Sequence, residues 1–148
     1  MGWVAQRHGT LYWQDYSYDE RFEALVAGIV AEFIRRLDPA KERCWIAEKD
    51  GENVGAVFLV KKSSSVAKLR WLLVEPSARG LGIGKRLVEE CVRFARYAGY
   101  QKIMRWTQSE LVAARRLYQN AGFALAAEEK HQSWSRDDLV AETWELNL

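Results

Sequence analysis

Apolar positions in the first third of the chain recur at the spacing of a helix. Between Phe22 and Leu37 they fall three and four residues apart, which predicts a helix of about five turns that stops near Pro39. The S-x-x-E spacing of Ser17 and Glu20 predicts where this helix starts.

Alternating and continuous apolar runs predict strands elsewhere in the first half. A short strand is expected near the N-terminus, at Trp3–Arg7 or at Leu11–Trp13. Three further strands are expected at Cys44–Glu48, Asn53–Lys61 and Val66–Val74. An Asp-Gly hairpin turn and a polar Lys-Ser-Ser-Ser turn separate them, so they predict an antiparallel meander.

The second half alternates helix and strand. An amphipathic helix should run to about Ala98, and the strand Gln101–Thr107 that follows should lie parallel to Val66–Val74, because a helix crosses over between them. A T-x-x-E pattern at Thr107 predicts the start of a short helix, which ends before Gly122.

Two terminal strands complete the pattern, at Phe123–Glu128 and Ala141–Leu148, with a polar loop at His131–Asp138 between them. The order is helix, three strands, helix, strand, helix, two strands. It predicts a mixed α/β (α+β) sheet in which one parallel pair interrupts antiparallel strands. No linker or repeat divides residues 1–148, so a single domain is expected.

Composition narrows the class of protein. The chain has 22 Lys and Arg against 20 Asp and Glu, and the resulting net charge of +2 is too small to indicate nucleic-acid binding. No signal peptide and no run of about 18 apolar residues is present, so a cytoplasmic protein without a membrane partner is expected. Cys44 and Cys91 form no C-x-x-C pattern, which predicts buried free thiols.

A glycine-rich loop lies between the strand Val66–Val74 and the amphipathic helix. Glycines at every second position from Gly80 to Gly84 leave backbone N–H groups uncovered at the helix start, where the helix dipole favours phosphate oxygens. Arg79 and Lys85 add positive charge. The spacing fits neither a Walker P-loop nor a Rossmann G-x-G-x-x-G motif. A turn that only packs the helix closely on the sheet is the alternative interpretation.

Two motifs carry a resemblance to a known family. The R-x-x-G-x-G pattern of Arg79, Gly82 and Gly84 resembles the pyrophosphate-binding loop of the GCN5-related N-acetyltransferases, or GNAT proteins. The block from Ala114 to Phe123 is similar to the A-x-x-L-Y-x-x-x-G-F block of that family, at the expected distance. The resemblance implies a GNAT fold, with about six to seven strands and about four flanking helices.

The resemblance also implies acetyl-CoA as cosubstrate and no metal. Backbone groups of Leu72 and Val74 would pair with the pantetheine arm, and amides from Arg79 to Lys85 would hold the pyrophosphate. The cofactor-binding residues so implied are Leu72, Leu73, Val74, Arg79, Gly80, Leu81, Gly82, Ile83, Gly84, Lys85 and Tyr118.

Tyr118 is the catalytic residue that the resemblance implies. An amine that attacks the thioester releases a thiolate, which leaves more readily if a hydroxyl donates a proton or a hydrogen bond to it. The alternative is that Tyr118 only packs on its helix. Neither cysteine stands in a motif position, so direct attack in a ternary complex is expected rather than a covalent enzyme intermediate.

The chain departs from the family at two places. Leu111 stands where many members have an asparagine, so this contact is absent or comes from Gln108 or Ser109. Residues 67–70 contain no carboxylate where some members have a glutamate base. The amine could lose its proton through a water chain, by binding already neutral, or to a side chain. The candidate side chains are Glu48, Glu75, His8 and His131.

The resemblance is closest to the acetyltransferase half of bacterial proteins that fuse a MarR-like winged helix to a GNAT domain. Gly2–Gly9, Cys44–Glu48, Trp106-Thr107 and Glu142–Leu146 carry it. It covers nearly the whole chain. The winged helix is not present in this sequence, so DNA binding does not carry over and a free-standing relative is expected.

The acceptor amine is expected between Arg7–Tyr18 and His131–Asp138. Aromatic walls with Arg7 or Arg136 would suit a small amine that also carries a carboxylate, such as an amino acid. The sequence thus predicts an N-acetyltransferase acting on a primary amine. A non-catalytic acyl-CoA-binding or sensing domain, a protein N-acetyltransferase and an α/β interaction module are alternatives. The last strand could also join a partner to form a homodimer.

Overall fold

The computed structural model describes residues 1–148, apart from the side chain of Asp15. Its helices are α1 Gly2–Tyr16, α2 Glu20–Arg36, α3 Ile83–Tyr97 and α4 Val112–Asn120, with a short 3₁₀ turn at Pro76–Ala78. Its strands are β1 Arg43–Lys49, β2 Glu52–Lys61, β3 Val66–Val74, β4 Lys102–Gln108, β5 Ala124–Ser133 and β6 Arg136–Asn147.

One six-stranded sheet runs in the order β1-β2-β3-β4-β6-β5. The first three strands form the predicted antiparallel meander, and β3 and β4 form the predicted parallel pair. The mixed α/β fold expected from the sequence is therefore confirmed. The expectation that the last strand is open to a partner is wrong, because β6 lies between β4 and β5 and pairs with both.

Helices cover both faces of the sheet, and each face has its own core. Helices α3 and α4 pack on one face, where Leu69, Leu87 and Ile103 are buried. Helices α1 and α2 pack on the other face, where Phe22, Val26 and Phe58 are buried. Among the described residues, no helix is both long enough and apolar enough to cross a bilayer.

The N-terminal segment is a helix, so the short strand expected there is wrong. Val4, His8 and Leu11 are buried, and their spacing of four and three residues is helical. The pattern was obscured because one of the buried positions is a histidine. Gly9 lies where α1 meets α2, and a Cβ there would come within 2.5 Å of Glu23 Oε2.

Both predicted capping boxes are wrong. Ser17 ends α1 in the left-handed region at φ 58°, and Asp19 caps α2 by accepting a hydrogen bond of 3.0 Å from the Arg21 amide. At the second site, Thr107 belongs to β4, and α4 begins later without a side-chain cap. A capping motif acts only when its first residue is the N-cap, and the residues that hold this position are Asp19 and Leu111.

The loop expected at His131–Asp138 is also wrong. The structure has a two-residue turn at Trp134-Ser135, with φ of 54° and 68°, and the strands continue on both sides of it. Such turns favour Asn-Gly or Asp-Gly, as in the predicted Asp50-Gly51 turn. Trp-Ser gives no such signal, and the turn forms because the Trp134 ring is buried among aromatic residues.

Candidate functional site

The sheet opens between β3 and β4. The parallel pairing runs from Val66 and Lys102 to Leu69 and Arg105, and then stops. Both strands continue beyond this point on their outer sides, since β2 still pairs with Val74 and β6 still pairs with Gln108. The gap is therefore held open by the two halves of the sheet, and it exposes unpaired backbone along the end of β3.

A β-bulge lies at the start of this gap. Between the pairs Phe58–Arg70 and Ala56–Leu73, β3 has two residues, Trp71 and Leu72, whereas β2 has only Val57. Trp71 is in the left-handed region at φ 53°, a conformation that bulky residues rarely adopt. The bulge bends β3 away from β4. No glycine or turn residue marks this position in the sequence, so the pattern could not reveal it.

The first of two cavities, the loop cleft, lies at the end of β3 and the start of α3, and its volume is about 430 Å³. It is lined by Leu72, Leu73, Val74, Arg79, Gly80, Gly82, Ile83, Gly84 and Lys85. Helices α1 and α4, together with Ala78 and Leu111, form its other walls. The structure thus brings together every predicted cofactor-binding residue except Leu81, whose side chain is 55% exposed, and Tyr118.

The geometry of the loop cleft suits a phosphate group. Helix α3 starts at Ile83 with no side-chain cap and no acidic residue in its first turn, so its amides are left for an anion. Gly80 and Gly82 have φ of 81° and 76°, where other residues are strained. Gly84 has a packing role, because a Cβ there would lie 3.2 Å from Leu117 Cδ2.

The second cavity, the aromatic pocket, lies on the α1–α2 face and has a volume of about 270 Å³. It is lined by Tyr12, Tyr18, Phe22, Leu25, Ile29, Lys68, Arg70, Trp71, Arg105, Trp106, Thr107, Gln108, Leu111 and Trp134. Tyr12 and Leu111 line both cavities. The loop cleft and the aromatic pocket therefore adjoin across the gap between β3 and β4.

Three cations line the aromatic pocket, and none of the carboxylates that the structure describes does. Lys68 and Arg70 alternate along one face of β3, and neither forms an ion pair with a described carboxylate. Burial, with Arg70 nearby, lowers the pKa of Lys68 to about 8, and burial with Arg105 nearby lowers the pKa of Arg70. Two cations on one face of a central strand were the available sequence signal, which was missed.

Four buried polar atoms of the aromatic pocket have no hydrogen-bond partner within the described protein. They are Arg70 Nε, Trp71 Nε1, Thr107 Oγ1 and Gln108 Nε2. The Gln108 carbonyl oxygen is already used, because His131 Nε2 donates to it over 2.8 Å. Each of the four atoms carries a hydrogen that it can donate. The pocket therefore suits a ligand that is rich in acceptors.

Arg105 lies where the pairing of β3 and β4 stops. Its Nε donates to the Tyr118 hydroxyl over 2.8 Å, and its Nη1 donates to the Leu69 carbonyl over 3.3 Å. Both acceptors are neutral, so the charge of this buried arginine is uncompensated by these bonds. Tyr118 is fully buried and lines neither cavity. Burial raises the pKa of Tyr118, and Arg105 partly offsets that rise.

The predicted base candidates occupy very different places. Glu48 is exposed on the edge strand β1, and Glu75 binds Arg7 through contacts of 2.5 and 2.8 Å. His131 is engaged with Gln108. His8 is buried, its Nδ1 donates to the Val4 carbonyl over 2.8 Å, and its Nε2 has no partner within the described protein.

His8 is buried against Tyr12, which lines both cavities, and against Trp71, which lines the aromatic pocket. Its ring packs edge-on against Tyr12 at 5.8 Å and against Trp71 at 5.6 Å, but it lines neither cavity. Burial lowers the pKa of His8 to about 4, with a smaller contribution from Arg105. The imidazole is therefore neutral at physiological pH.

The arginines expected to receive a substrate carboxylate are already paired. Arg7 binds Glu75, and Arg136 binds Glu110 at 2.9 Å and Asp138 at 2.7 Å. Neither arginine lines either cavity. The cations of the aromatic pocket come from β3 and β4 instead.

A sequence profile of the acetyltransferase (GNAT) family matches residues 5–123. N-acetyltransferase 8B of Homo sapiens is 31% identical over 97 residues, which are 62% of this chain and 43% of that protein. N-acetylaspartate synthetase of Xenopus tropicalis is 34% identical over 80 residues, which are 53% and 30% of the two chains. The chain thus spans less than half the length of these curated relatives.

The fold has counterparts among solved structures. A GNAT family acetyltransferase from Elizabethkingia anophelis, solved with acetyl-CoA bound, superposes with a TM-score of 0.68 at 15% identity and covers 82% of each chain. At this identity the likeness shows the fold alone. It agrees with the mixed sheet and its single parallel pair within the described residues.

Proposed function

Because the chain belongs to the acetyltransferase (GNAT) family, we propose that it transfers an acetyl group from acetyl-CoA to the primary amine of a small molecule. The observation that carries this proposal is the opening between β3 and β4, where the loop cleft and the aromatic pocket adjoin at Tyr12 and Leu111. A thioester and an amine entering from opposite faces of the sheet could meet there without leaving the protein.

The loop cleft is the donor side in this proposal. The uncapped amides at the start of α3, together with Arg79 and Lys85, would bind the pyrophosphate. The backbone of Leu72, Leu73 and Val74 is not paired by β4. It would form hydrogen bonds with the pantetheine arm, as an open sheet edge does with an additional strand. Leu81 would contribute its amide only, since its side chain is exposed.

Direct transfer in a ternary complex is supported by the state of the two thiols. Neither Cys44 nor Cys91 lines a cavity. Burial raises the pKa of Cys44 to about 11 and raises the pKa of Cys91 further. Both thiols are therefore protonated at neutral pH and are poor nucleophiles.

Tyr118 would assist departure of the thiolate. A guanidinium nitrogen can only donate, so the Tyr118 oxygen accepts from Arg105 and its own proton remains available to donate. A hydrogen bond from a cation also makes the phenol a stronger acid than burial alone would leave it. Arg105 is a positioning residue for this step.

The amine is proposed to react from its neutral form. Among the described side chains, no carboxylate lines the aromatic pocket, and three cations would lie beside the acceptor. Positive charge nearby disfavours an ammonium group, so it lowers the pKa of the bound amine and favours the free base. A side-chain base is then not needed to form the free amine, and the proton that the nitrogen loses after attack balances the one that Tyr118 donates to the thiolate.

A small-molecule acceptor is supported by the size of the aromatic pocket. Its 270 Å³ is close to the lower end of the range for ligand pockets, roughly 300 Å³. One relative is also named for an acetylated amino acid, N-acetylaspartate. The closer resemblance to MarR–GNAT fusion proteins stays a prediction, and so does a homodimer, although not one formed through the last strand.

The test is release of thiol from acetyl-CoA in the presence of pooled primary amines. Tyr118→Phe should lower turnover by roughly a hundredfold or more, as expected for loss of a proton donor, while CoA affinity measured by calorimetry stays nearly constant. Phe123→Leu is a control for packing in the same core, because the two rings lie 5.7 Å apart.

Three outcomes would count against the proposal. Unchanged turnover of Tyr118→Phe across all accepted amines would remove the tyrosine from the mechanism. Binding of acetyl-CoA without thiol release over a broad amine panel would favour the non-catalytic sensing domain. Acetylation of peptide N-termini alone would instead assign a protein acceptor.

A further inference from the structure

We infer that the acceptor amine carries an anionic group, a carboxylate or a phosphate, which Lys68 and Arg70 bind in the aromatic pocket. Arg105 contributes positive charge from the most buried side of the pocket. This inference rests on the proposed function, because it names the class of acceptor for the same site. It also identifies two residues that determine acceptor specificity.

The pairing of arginines elsewhere in the protein is the first argument. Arg7, Arg115 and Arg136 are partly buried, and each contacts a carboxylate within 3 Å, from Glu75, Glu142 and Glu110 respectively. Lys68 and Arg70 are also partly buried, yet neither has a carboxylate within 4.0 Å in the described protein.

A charge that is removed from water without a partner is unfavourable, and the neighbouring cations make it more so. Burial and the nearby Arg70 lower the pKa of Lys68, and burial and the nearby Arg105 lower the pKa of Arg70. An anion in the pocket would relieve both effects at once. No described carboxylate lies within 4.0 Å of either cation, so the ligand is the proposed source of the negative charge.

The unpartnered polar atoms are the second and independent argument. Arg70 Nε, Trp71 Nε1 and Gln108 Nε2 can donate a hydrogen bond but cannot accept one, and the Thr107 hydroxyl can do both. Buried polar groups of native proteins are normally hydrogen-bonded. These four donors belong to residues that line one cavity, where a carboxylate or phosphate would bring several acceptor oxygens.

The same features exclude other acceptors. A polyamine or an aminoglycoside would place additional ammonium groups beside Lys68 and Arg70, where like charges repel. A purely apolar amine would leave the four donors without partners. The apolar wall formed by Phe22, Ile29 and Trp134 leaves room for a short carbon chain between the amine and its anion.

The experiment compares amines that differ in charge but little in shape. Aspartate is tested against aspartate diamide, and 2-aminoethyl phosphate against 2-aminoethanol, with 1,4-diaminobutane as the cationic probe. We expect one anionic probe to be acetylated with a kcat/KM at least about tenfold above its neutral counterpart. The better of the two anionic probes distinguishes a carboxylate from a phosphate.

Arg70→Gln should remove this preference. Loss of a charge-assisted hydrogen bond should raise KM for the anionic probe by about tenfold or more, with little change in KM for acetyl-CoA or in kcat/KM for the neutral probe. Lys68→Gln should act in the same direction and serves if Arg70→Gln does not fold. Arg93→Gln is the matched control, because it removes one positive charge from the exposed face of α3.

The outcomes separate this inference from the proposed function. Acetylation that prefers 1,4-diaminobutane or the neutral probes, or an anion preference that survives in both variants, overturns the inference and leaves the acetyltransferase intact. If no probe releases thiol, calorimetry with the same anionic probes decides. If Arg70→Gln weakens binding of the anionic probe, the inference is supported. If wild type does not bind the probe, or if wild type and Arg70→Gln bind it equally, the inference is overturned.

Discussion

The loop cleft and the aromatic pocket are built in different ways. The loop cleft is formed mainly by the backbone of one continuous stretch, from Leu72 to Lys85, and it offers amides at a helix start. The aromatic pocket is formed by side chains from α1, α2, β3, β4 and the β5–β6 hairpin. A backbone site recognises a constant group such as a pyrophosphate, whereas a side-chain site can change its specificity by single substitutions.

Their electrostatics differ as well. The loop cleft presents dipoles and exposed cations to solvent, and Lys85 lies within 3.9 Å of Glu89. The aromatic pocket holds its cations partly or fully buried, and no carboxylate of the described part of the chain lines it. Salt should therefore screen binding at the loop cleft more than binding in the aromatic pocket.

The largest effect is expected at His8, which is buried against Tyr12 between the two cavities, and it concerns the pH dependence of stability. Its pKa of about 4 lies below the ordinary value of 6.5, so the unfolded chain binds a proton between these values and the folded chain does not. Stability is fully present above about pH 6.5 and falls by about 3 kcal/mol as pH drops to 4. Urea denaturation at pH 7 and at pH 4.5 measures this loss.

His8→Phe should remove that part of the pH dependence, because phenylalanine has no group to titrate and still packs against Tyr12 and Trp71. The control is wild type at the same two pH values. Equal pH dependence in the variant and in wild type would show that other groups, such as Asp19 with its lowered pKa, cause the loss.

A smaller effect is expected from a substitution that disturbs only the loop cleft. Gly82→Val places a β-branched residue at φ 76°, which is unfavourable by about 1–2 kcal/mol, and the start of α3 would shift to relieve it. We expect CoA affinity to fall by about tenfold or more in calorimetry. Affinity for an anionic amine in the aromatic pocket should stay the same, and a parallel loss there would show that the two cavities are not independent.

The smallest effect, of opposite sign, is expected at a glycine that touches neither cavity. Gly28 lies inside α2, and a Cβ there would contact nothing within 4 Å. Gly28→Ala should raise the free energy of unfolding by about 0.5–1 kcal/mol, because alanine favours the helix. Thermal unfolding measures it. A change in CoA affinity would mean that α2 influences the loop cleft.

Local patterns predicted much of the sheet and its connections. β3 has the predicted bounds, Asp50-Gly51 forms the predicted turn, and Gly99 has the positive φ of 87° that ends α3. These features depend on the preferences of neighbouring residues. The helix α1, the Trp134-Ser135 turn and the bulge at Trp71 escaped prediction, because each depends on packing against residues distant in the chain.

The sequence by itself determined the order of helices and strands from α2 onwards and the position of the glycine loop, and two motifs indicated the family that the profile confirmed. Only the tertiary structure decided what surrounds the acceptor. Lys68, Arg70 and Arg105 share one pocket because β3 and β4 separate there, and Arg7 and Arg136 are engaged with carboxylates elsewhere. The sequence specifies which residues are charged, but the fold decides which of them lie beside an opposite charge.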